Sequence, residues 1–398
     1  MPKILRIINR LNLGGPTYNV AFLTKYLEPE FKTILVSGMI DETEESSEYI
    51  AHELGLEPIY IPEMYRDINL RQDRNAYKKI KNIIHEFKPD IVHTHAAKAG
   101  TLGRLAAINC KVPVILHTFH GHVFHSYFSP FKTRMFLEIE RYLAARSTRI
   151  IAISERQKKE LGLIYKVAPL DKIEVIPLGF NLDSFQENQD EKRKQFRNYY
   201  LIDDDEIVVS IIGRLVPVKN HKLFIDAMKI IFENTHKKVR AFIVGDGEER
   251  SNIEKYIAQL GLDYVNFTQE KRKAQFTFTS WRKDIDVVIA GSDIIALCSF
   301  NEGTPVSLIE AQAANKPIVT TRVGGITDVV IPKITALISS KKSISNFARN
   351  LFMLIDDDER RKEMGTSGND FVAKKFSYTR LINDTAALYN KLLKEKSK

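Results

Sequence analysis

The chain has 398 residues, of which 44% are hydrophobic and 27% are charged, and its formal net charge is +9. This length is too great for one small core and predicts two domains or one very large one. No apolar run approaches the ~20 residues of a membrane-spanning helix, and the N-terminus enters a strand without a signal-peptide pattern. We expect Cys110 and Cys298, both in apolar surroundings, to be buried reduced thiols of a cytosolic protein.

Strands and amphipathic helices are predicted to alternate through the first 180 residues. The predicted strands are residues 4–8, 33–37, 57–61, 90–94, 114–118, 149–153 and 172–176. The predicted helices are residues 17–27, 48–54, 73–87 and 101–108, with one more after Ser154. Ligand-type residues cluster just after the strand ends. This pattern is typical of a doubly wound parallel sheet with its site at the carboxyl edge.

The alternation stops at residues 177–205, where turn residues and the run Asp203-Asp204-Asp205 indicate a hinge region. It then restarts, with predicted strands at residues 206–212, 240–244, 276–279, 294–298, 318–321 and 336–339. The predicted helices are residues 248–260 and 286–290, one from Asn220, one from Pro305 and three after Ser343. Two α/β domains of ~180 residues each that share a cleft are the simplest architecture.

The stretch from Ser299 to Pro317 combines an acidic loop with the start of a helix. Thr304 can cap that helix and Pro305 suits its first position. Gly303 leaves room for a ligand to approach the backbone, and the helix start around Val306 aims free N–H groups at an anion. The stretch therefore predicts a phosphate site.

Two carboxylates flank this predicted anion site. Glu302 stands just before it, and Glu310 lies about two turns into the helix. Carboxylates there could bind the hydroxyl groups of a sugar or a ribose. A loop carboxylate and a solvated helix residue are the structural interpretations of the same two positions.

Cations follow the strand at residues 206–212. Gly213 lets the chain turn, Arg214 offers a rigid fork of donors, and Lys219 offers a point charge to the same anion, which suits a diphosphate. Two surface cations at a helix start explain the pattern equally well. After the next strand comes a second glycine loop, Gly245-Asp246-Gly247.

Gly14 and Gly15 follow the first strand without the G-x-G-x-x-G spacing, so a nicotinamide dinucleotide is not indicated. This loop could cover a diphosphate or admit an acceptor, and a plain tight turn is an equal rival. The carboxylates of Asp284 and Asp286 match a D-x-D metal pattern, but they sit at a helix start, where acids are expected for dipole reasons. We interpret them as structural.

Histidines are concentrated at residues 93–125. No H-E-x-x-H motif or cysteine pair accompanies them, which argues against a metal site. His120, beside Gly121 at a strand end, is the best placed to meet a substrate. The six histidines are His93, His95, His117, His120, His122 and His125.

These marks together resemble the retaining glycosyltransferases of family 4, which have the GT-B fold. The chain is similar to that family from about residue 4 to residue 328, and the C-terminal marks are the specific ones. The matching marks are G-G-P, H-T-F-H-G-H, I-A-I-S-E, I-P-L-G-F, G-R-L-V-P-V-K-N-H, V-G-D-G, W-R-K-D and N-E-G-T-P-V-S-L-I-E-A.

The resemblance implies two Rossmann-like domains that face each other across a cleft. Residues 1–180 would bind the acceptor, and residues 205–375 would bind a nucleotide-diphosphate sugar, for which uridine is the expected base. A C-terminal helix at about residues 376–398 would pack back on the first domain. No metal or other cofactor is expected, because Arg and Lys would stabilise the leaving diphosphate.

The resemblance also implies a role for individual residues. Arg214 and Lys219 would bind the diphosphate, Glu310 the ribose and Glu302 the donor sugar. His120 would approach that sugar, as a catalytic residue with Arg214, Lys219 and Glu302. The remaining donor-binding positions are Gly15, Gly213, Asp246, Gly303, Thr304, Pro305 and Val306.

The sequence departs from the family pattern near the expected base site. Residues 262–275 form a longer segment than usual, and Ser280 stands where the pattern usually has glycine. Nucleobase contacts lie near there in relatives of the resembled family, so the departure bears on the identity of the base.

Residues 126–146 mix aromatic and basic side chains. They could bring the protein to an anionic membrane, where a lipid-linked glycan acceptor of cell-surface polysaccharide synthesis would wait, or they could form a core helix with a basic face. We therefore expect a cytoplasmic protein, which is peripheral on the inner face of the cytoplasmic membrane if residues 126–146 bind the membrane.

Nucleic acid is not an expected partner, because the cations are scattered and no reader motif occurs. The rival functions are a non-hydrolysing nucleotide-sugar epimerase and a non-catalytic nucleotide-sugar-binding protein.

Overall fold

The computed structural model describes residues 1–12, 15–40, 46–65, 68–121 and 130–396. The chain divides into two compact units, which we call the first unit (Met1–Phe180 with Lys375–Lys398) and the second unit (Asn181–Lys374). None of the helices in these described ranges is both long enough and apolar enough to cross a membrane.

The first unit contains a seven-stranded sheet. Its strands are β1 (Lys3–Ile8), β2 (Lys32–Gly38), β3 (Ile59–Ile61), β4 (Ile91–His95), β5 (Val114–Phe119), β6 (Arg149–Ala152) and β7 (Ile173–Val175). Its helices are α1 (Gly15–Tyr26), α2 (Glu48–Glu53), α3 (Leu70–Phe87), α4 (Ala97–Asn109), α5 (Pro130–Arg146) and α6 (Glu155–Lys159). The strands are parallel and lie in the order β3-β2-β1-β4-β5-β6-β7.

The second unit repeats this design. Its strands are β8 (Ile207–Ile212), β9 (Val239–Val244), β10 (Tyr264–Asn266), β11 (Phe276–Ser280), β12 (Ile294–Leu297), β13 (Ile318–Thr321) and β14 (Ala336–Ser339). Its helices are α7 (Gln189–Tyr199), α8 (His221–Asn234), α9 (Arg250–Gln259), α10 (Ile285–Gly291), α11 (Val306–Ala313), α12 (Ile326–Val329), α13 (Ile344–Asp356) and α14 (Asp358–Phe376). The parallel order is β10-β11-β9-β8-β12-β13-β14.

The central strands are buried because helices cover both faces of each sheet. All six residues of β8 are buried, and so are all six residues of β5. In each sheet the strand order reverses beside the first strand, between β1 and β4 and between β8 and β12. Such a switch point leaves a crevice at the carboxyl ends of the strands, where open α/β sheets bind ligands. The α/β fold expected from the sequence is confirmed.

The last helix, α15 (Tyr378–Lys396), belongs to the first unit. Leu381, Tyr389 and Leu392 of this helix are buried in one apolar cluster with Ile4 of β1 and Leu116 of β5. The chain therefore returns to its first sheet after completing the second one.

The structure differs from the expectation at the start of the second unit and within the segment 262–275. The second unit begins at Asn181 instead of residue 205, because α7 packs on α10. A Cβ atom on Gly291 of α10 would stand only 2.1 Å from the ring of Phe196 of α7, so the two helices are in close contact. The segment 262–275 contains the short edge strand β10, which the sequence did not predict because three residues are too few to show a period.

Candidate functional site

The loops after β8 and β9 interlock at the carboxyl edge of the second sheet. Gly245 has φ +129°, and a Cβ atom there would lie 2.1 Å from the carbonyl oxygen of Gly213, so only glycine fits. The N–H group of Gly213 donates to the carbonyl oxygen of Val244 at 2.9 Å. These contacts fix the turn that carries Arg214 and Lys219.

Lys219 and Glu302 form an ion pair. The Nζ atom of Lys219 donates to Oε1 of Glu302 at 2.7 Å, and the Oγ atom of Ser299 donates to the same oxygen at 2.6 Å. The two charged side chains are only 22% and 12% exposed, so the pair is largely shielded from water. Oε2 of Glu302 makes no hydrogen bond within the described ranges, so this oxygen can meet a ligand.

Arg214 is exposed, and its side chain forms no hydrogen bond or ion pair with the part of the chain that the structure describes. The structure therefore brings Lys219 and Glu302 together and leaves Arg214 at the surface of the same turn. A guanidinium in this position can move to an anion without first breaking a protein contact.

The loop after β13 supports the backbone of Glu302. The N–H group of Gly325 donates to the carbonyl oxygen of Glu302 at 2.9 Å. Gly324 has φ +47°, and a Cβ atom on it would lie 1.8 Å from that oxygen. The sequence reasoning missed this support, although a glycine pair two residues beyond the predicted strand 318–321 was a visible signal.

The helix α11 begins at Val306, and the expectation for its cap was wrong. Pro305 takes the cap position with extended backbone (φ −72°, ψ 102°), and no side chain in the described chain, including that of Thr304, caps the helix. The free N–H groups of the first turn therefore remain open to an anion. A Cβ atom on the exposed Gly303 would meet nothing within 4 Å, so packing does not require glycine there.

Glu310 lies in α11 and is partly buried. Burial, with a smaller contribution from the carboxylate of Asp286, raises the pKa of Glu310 to about 7. It is therefore not the solvated helix residue that the structural interpretation assumed. Near neutral pH this carboxyl group can either accept or donate a hydrogen bond to a hydroxyl.

Asp284 and Asp286, the two carboxylates of the D-x-D pattern, are held in ion pairs. Asp284 accepts from Nε of Arg282 at 2.8 Å, and Asp286 lies 2.8 Å from Nζ of Lys192. Within the ranges that the structure describes, no three His, Cys, Asp or Glu side chains are arranged to hold a metal ion.

Asp246 organises the loop after β9. Its Oδ1 atom accepts from the N–H group of Gly247 at 2.8 Å, and its Oδ2 atom accepts from Oγ of Ser280 at 2.7 Å and from Arg250 at 3.1 Å. Ser280 has φ +59°, the left-handed conformation that explains why glycine is usual there. Asp246, Arg250 and Ser280 line one side of a polar groove of about 830 Å³, whose other side comes from the 262–272 segment.

In the first unit, His93 and His95 of β4 and His117 of β5 are buried, and burial holds their pKa values well below the usual 6.5. His120 directly follows β5, and its Nε2 atom lies 2.9 Å from Nδ1 of His95. Burial lowers the pKa of His120 to about 3, so this imidazole is neutral at physiological pH. His122 and His125 lie outside the described residues.

Gly15 is buried at the first position of α1, directly after the first strand and its loop. The neighbouring Gly14 lies outside the described residues.

Of the two cysteines, Cys298 is buried and Cys110 is partly exposed, and both are free thiols. Burial raises the pKa of the Cys298 thiol to about 12, so it is inert at neutral pH.

Two family models match the chain and together cover most of it. The model described as "Glycosyltransferase Family 4" matches residues 14–184, and the model described as "Glycosyl transferases group 1" matches residues 192–371. The chain thus belongs to glycosyltransferase family 4, with the GT-B fold, and is a glycosyltransferase.

Curated relatives and solved structures agree with this assignment. The chain is 28% identical over 333 residues to the UDP-Gal:alpha-D-GlcNAc-diphosphoundecaprenol alpha-1,3-galactosyltransferase of Escherichia coli, covering 83% of this chain and 82% of that one. It is also 28% identical over 333 residues to the capsular polysaccharide biosynthesis glycosyltransferase CapM of Staphylococcus aureus, covering 83% and 84% of the two chains. Anabaena Alr3699/HepE in complex with UDP has the same fold, with a TM-score of 0.80 at 18% identity over 98% of this chain and 100% of that one.

Proposed function

We propose that the protein transfers a sugar from a uridine-diphosphate sugar to a glycan acceptor linked to polyprenyl diphosphate, with retention at the anomeric carbon. The ion pair of Lys219 and Glu302 carries this proposal, because it joins a cation for phosphate to a carboxylate for hydroxyls beside an uncapped helix start. The names of the Escherichia coli and Staphylococcus aureus relatives support a lipid-linked acceptor and a role in cell-surface polysaccharide synthesis.

In the proposed donor site, Arg214, Lys219 and the first turn of α11 bind the diphosphate. Glu302 binds the sugar hydroxyls through its free oxygen, and Glu310 binds the ribose. Gly213 and Gly303 let the ligand approach the backbone. The other donor positions assigned in the second unit are Asp246, Thr304, Pro305 and Val306, and Gly15 is the donor position assigned in the first unit.

In the proposed reaction, the bond between the anomeric carbon and the phosphate oxygen breaks as the acceptor hydroxyl forms a bond on the same face. The departing phosphate oxygen takes the hydroxyl proton. The negative charge that develops on the diphosphate while this bond breaks, before the proton arrives, is stabilised by Arg214, Lys219 and the N–H groups of α11. Because these groups supply the charge, no metal ion is proposed, and activity should survive treatment with a chelator.

We assign acceptor binding to the first unit and a substrate contact to its neutral His120. We also propose that α5 brings this unit to the inner face of the cytoplasmic membrane. Phe131 is 80% exposed and Met135 is 43% exposed, one helical turn apart, with the exposed cations Lys132 and Arg134 beside them. Apolar and basic groups on one exposed helix turn favour binding to anionic lipid.

A donor screen tests the proposal. The protein is heated with each of several nucleotide sugars, and UDP-linked sugars are expected to raise the unfolding temperature more than GDP-linked sugars. The product formed on a polyprenyl-diphosphate glycan is then analysed by NMR for its anomeric configuration. An inverted product would refute retention alone, whereas binding of no nucleotide sugar would refute the whole proposal.

A further inference from the structure

A row of buried polar side chains runs beneath the C-terminal helix of the first unit. Arg6 of β1 and His93 of β4 are register partners, and His95 is two residues further along β4, so all three side chains lie on one face of the sheet. Tyr389 of α15 is fully buried and covers that face. The last member of the row is His120, which follows β5 and is not itself part of a strand.

The contacts of His93 define its tautomer. Nη1 of Arg6 lies 3.2 Å and the hydroxyl of Tyr389 lies 2.6 Å from Nδ1 of His93. A guanidinium can only donate, so Nδ1 must accept. The proton then sits on Nε2, which donates to the hydroxyl of Thr118 at 2.7 Å. His93 is therefore a fixed neutral ring.

The fixed ring supports its neighbours by contact. The ring centroids of His93 and His95 are 4.2 Å apart, and those of His95 and His120 are 5.2 Å apart with nearly parallel planes. Nδ1 of His95 meets Nε2 of His120 at 2.9 Å. The charge of Arg6, which has no acidic partner among the described residues, disfavours a positive charge on His93 and on His95.

One nitrogen of His120 remains unused. Among the residues that the structure describes, its buried Nδ1 atom has no hydrogen-bond partner, and the same is true of Nε2 of His95. An unpaired buried nitrogen costs free energy, which a ligand hydroxyl could recover by binding to it.

We propose that Tyr389, His93 and His95 are positioning residues for His120. Tyr389 and Arg6 fix the ring of His93, His93 packs against His95, and His95 contacts Nε2 of His120, so that the ring of His120 is held in one orientation with its Nδ1 atom left for the substrate. The proposal rests on the substrate contact that the proposed function assigns to His120. It gives the C-terminal helix a part in the reaction, although no residue of that helix needs to touch a substrate.

His95→Phe is the main test, since it keeps a ring in place and removes the nitrogen that holds His120. The tautomer of His120 is read from imidazole 15N spectra of the full-length protein, and kcat and KM are measured separately. The tautomer ratio of His120 is expected to differ between the wild-type protein and the variant, because Nε2 of His120 loses its partner in the variant. The kcat of the variant should fall on the order of tenfold, because a catalytic group that loses its orientation misses the reacting geometry.

His117→Phe is the matched control. His117 is also a buried histidine of the same sheet, but its Nδ1 atom meets the hydroxyl of Thr94 at 2.9 Å and not the row. This variant should keep the wild-type tautomer of His120 and the wild-type kcat. His95→Gln, whose amide can still reach Nε2, should recover most of the kcat.

Tyr389→Phe tests the far end of the row with little change in packing, and it serves if His95→Phe does not fold. It should move the 15N signals of His93 and, through His95, those of His120. A His120 tautomer unchanged from the wild type in the folded variants overturns the positioning proposal. Full activity of His120→Ala would instead refute the substrate contact of His120, while the spectra would still decide whether the row positions it.

Discussion

The ammonium of Lys219 lies 2.7 Å from the carboxylate of Glu302, although 83 residues separate them along the chain. The contact forms because β8 and β12 are neighbours in the sheet and both loops emerge at its carboxyl edge. Without a donor, Glu302 neutralises the cation that we assign to the diphosphate. A diphosphate must therefore compete with Glu302 for Lys219, and the two residues should respond in opposite ways to substitution.

Lys219→Met should lower kcat by on the order of 100-fold at saturating donor, because a cation at the leaving diphosphate acts mainly in the transition state. Steady-state kinetics with the donor sugar measure this effect. Lys222→Met is the control, since Lys222 is an exposed lysine three residues away that stacks over Tyr256. Equal kcat values for the wild type and Lys219→Met would remove the diphosphate role of Lys219.

Glu302→Gln should bind UDP more tightly, by roughly fivefold, because the competing carboxylate is gone and about 1 kcal/mol of charge interaction is freed for the ligand. Sugar transfer by the same variant should be slower, since the proposed contact to the donor sugar is weakened. Isothermal calorimetry gives the affinity for UDP. Weaker binding of UDP would show that Glu302 does not oppose the diphosphate.

Glu310 should make stability depend on pH. Its pKa rises from 4.5 in the unfolded chain to about 7 in the folded protein. A carboxyl group with a raised pKa favours the folded state less once it must ionise, so the free energy of unfolding should fall as pH rises from about 4.5 to about 7. Glu310→Gln should remove this loss, on the order of 1 kcal/mol at pH 8 for a partly exposed group.

Urea unfolding at pH 5 and pH 8 tests this prediction. Glu233→Gln on α8 is the control, because Glu233 is exposed and its substitution should shift both values equally. A Glu310→Gln variant that gains no more stability at pH 8 than at pH 5 would contradict the raised pKa. If Glu310 accepts ribose hydroxyls, affinity for a UDP-linked sugar, whose phosphates do not titrate in this range, should also rise between pH 6 and pH 8 in the wild type and stay flat in the variant.

Gly303→Ala and Gly324→Ala should separate a ligand role from a packing role. At Gly303 the new methyl group meets open space, so stability should stay within about 0.5 kcal/mol while affinity for the nucleotide sugar falls. At Gly324 it meets the backbone of Glu302 at positive φ, so the protein should lose roughly 1–3 kcal/mol of stability. Thermal unfolding and donor binding of both variants are measured side by side, and undiminished binding by Gly303→Ala would exclude close approach of the donor.

The proposed membrane contact predicts that Phe131→Ser with Met135→Ser weakens binding to vesicles containing anionic lipid. Losing two exposed apolar groups should cost roughly tenfold in partitioning. The control pair is Ile334→Ser with Ile344→Ser, which removes exposed apolar groups from the second unit instead. If the wild-type protein does not float together with anionic vesicles, the membrane contact is ruled out altogether.

The sequence predicted most of the fold because the strands and helices carry strong local patterns. Six buried residues in a row mark β8, and Ser343 marks the start of α13 by accepting from the N–H group of Asn346. The local sequence pattern did not predict β10, because that strand is too short. It also did not predict that Pro305 takes the cap position of α11, because the backbone conformation of Pro305 determines that position. Ser280 was noticed as an irregular residue, but only its φ of +59° explains it.

The site could be predicted as a set of residues but not as a set of contacts. No local sequence pattern predicts that Lys219 contacts Glu302. The hydrogen bond between Arg6 and Tyr389, which are 383 positions apart, is likewise outside the reach of any local pattern. Such contacts depend on which strands become neighbours. A glycine such as Gly324, which supports Glu302 from another loop, is visible in the sequence only as a turn.

The return of α15 to the first sheet has a consequence for synthesis of the chain. Ile4 and Leu116 are covered by a helix that is synthesised after the second unit, so the first unit cannot complete its core until α15 has left the ribosome. The second unit is the continuous segment Asn181–Lys374, which does not depend on later residues and can therefore fold earlier. A fragment ending near residue 180 should aggregate, and joining residues 375–398 to it through a flexible linker should restore its solubility.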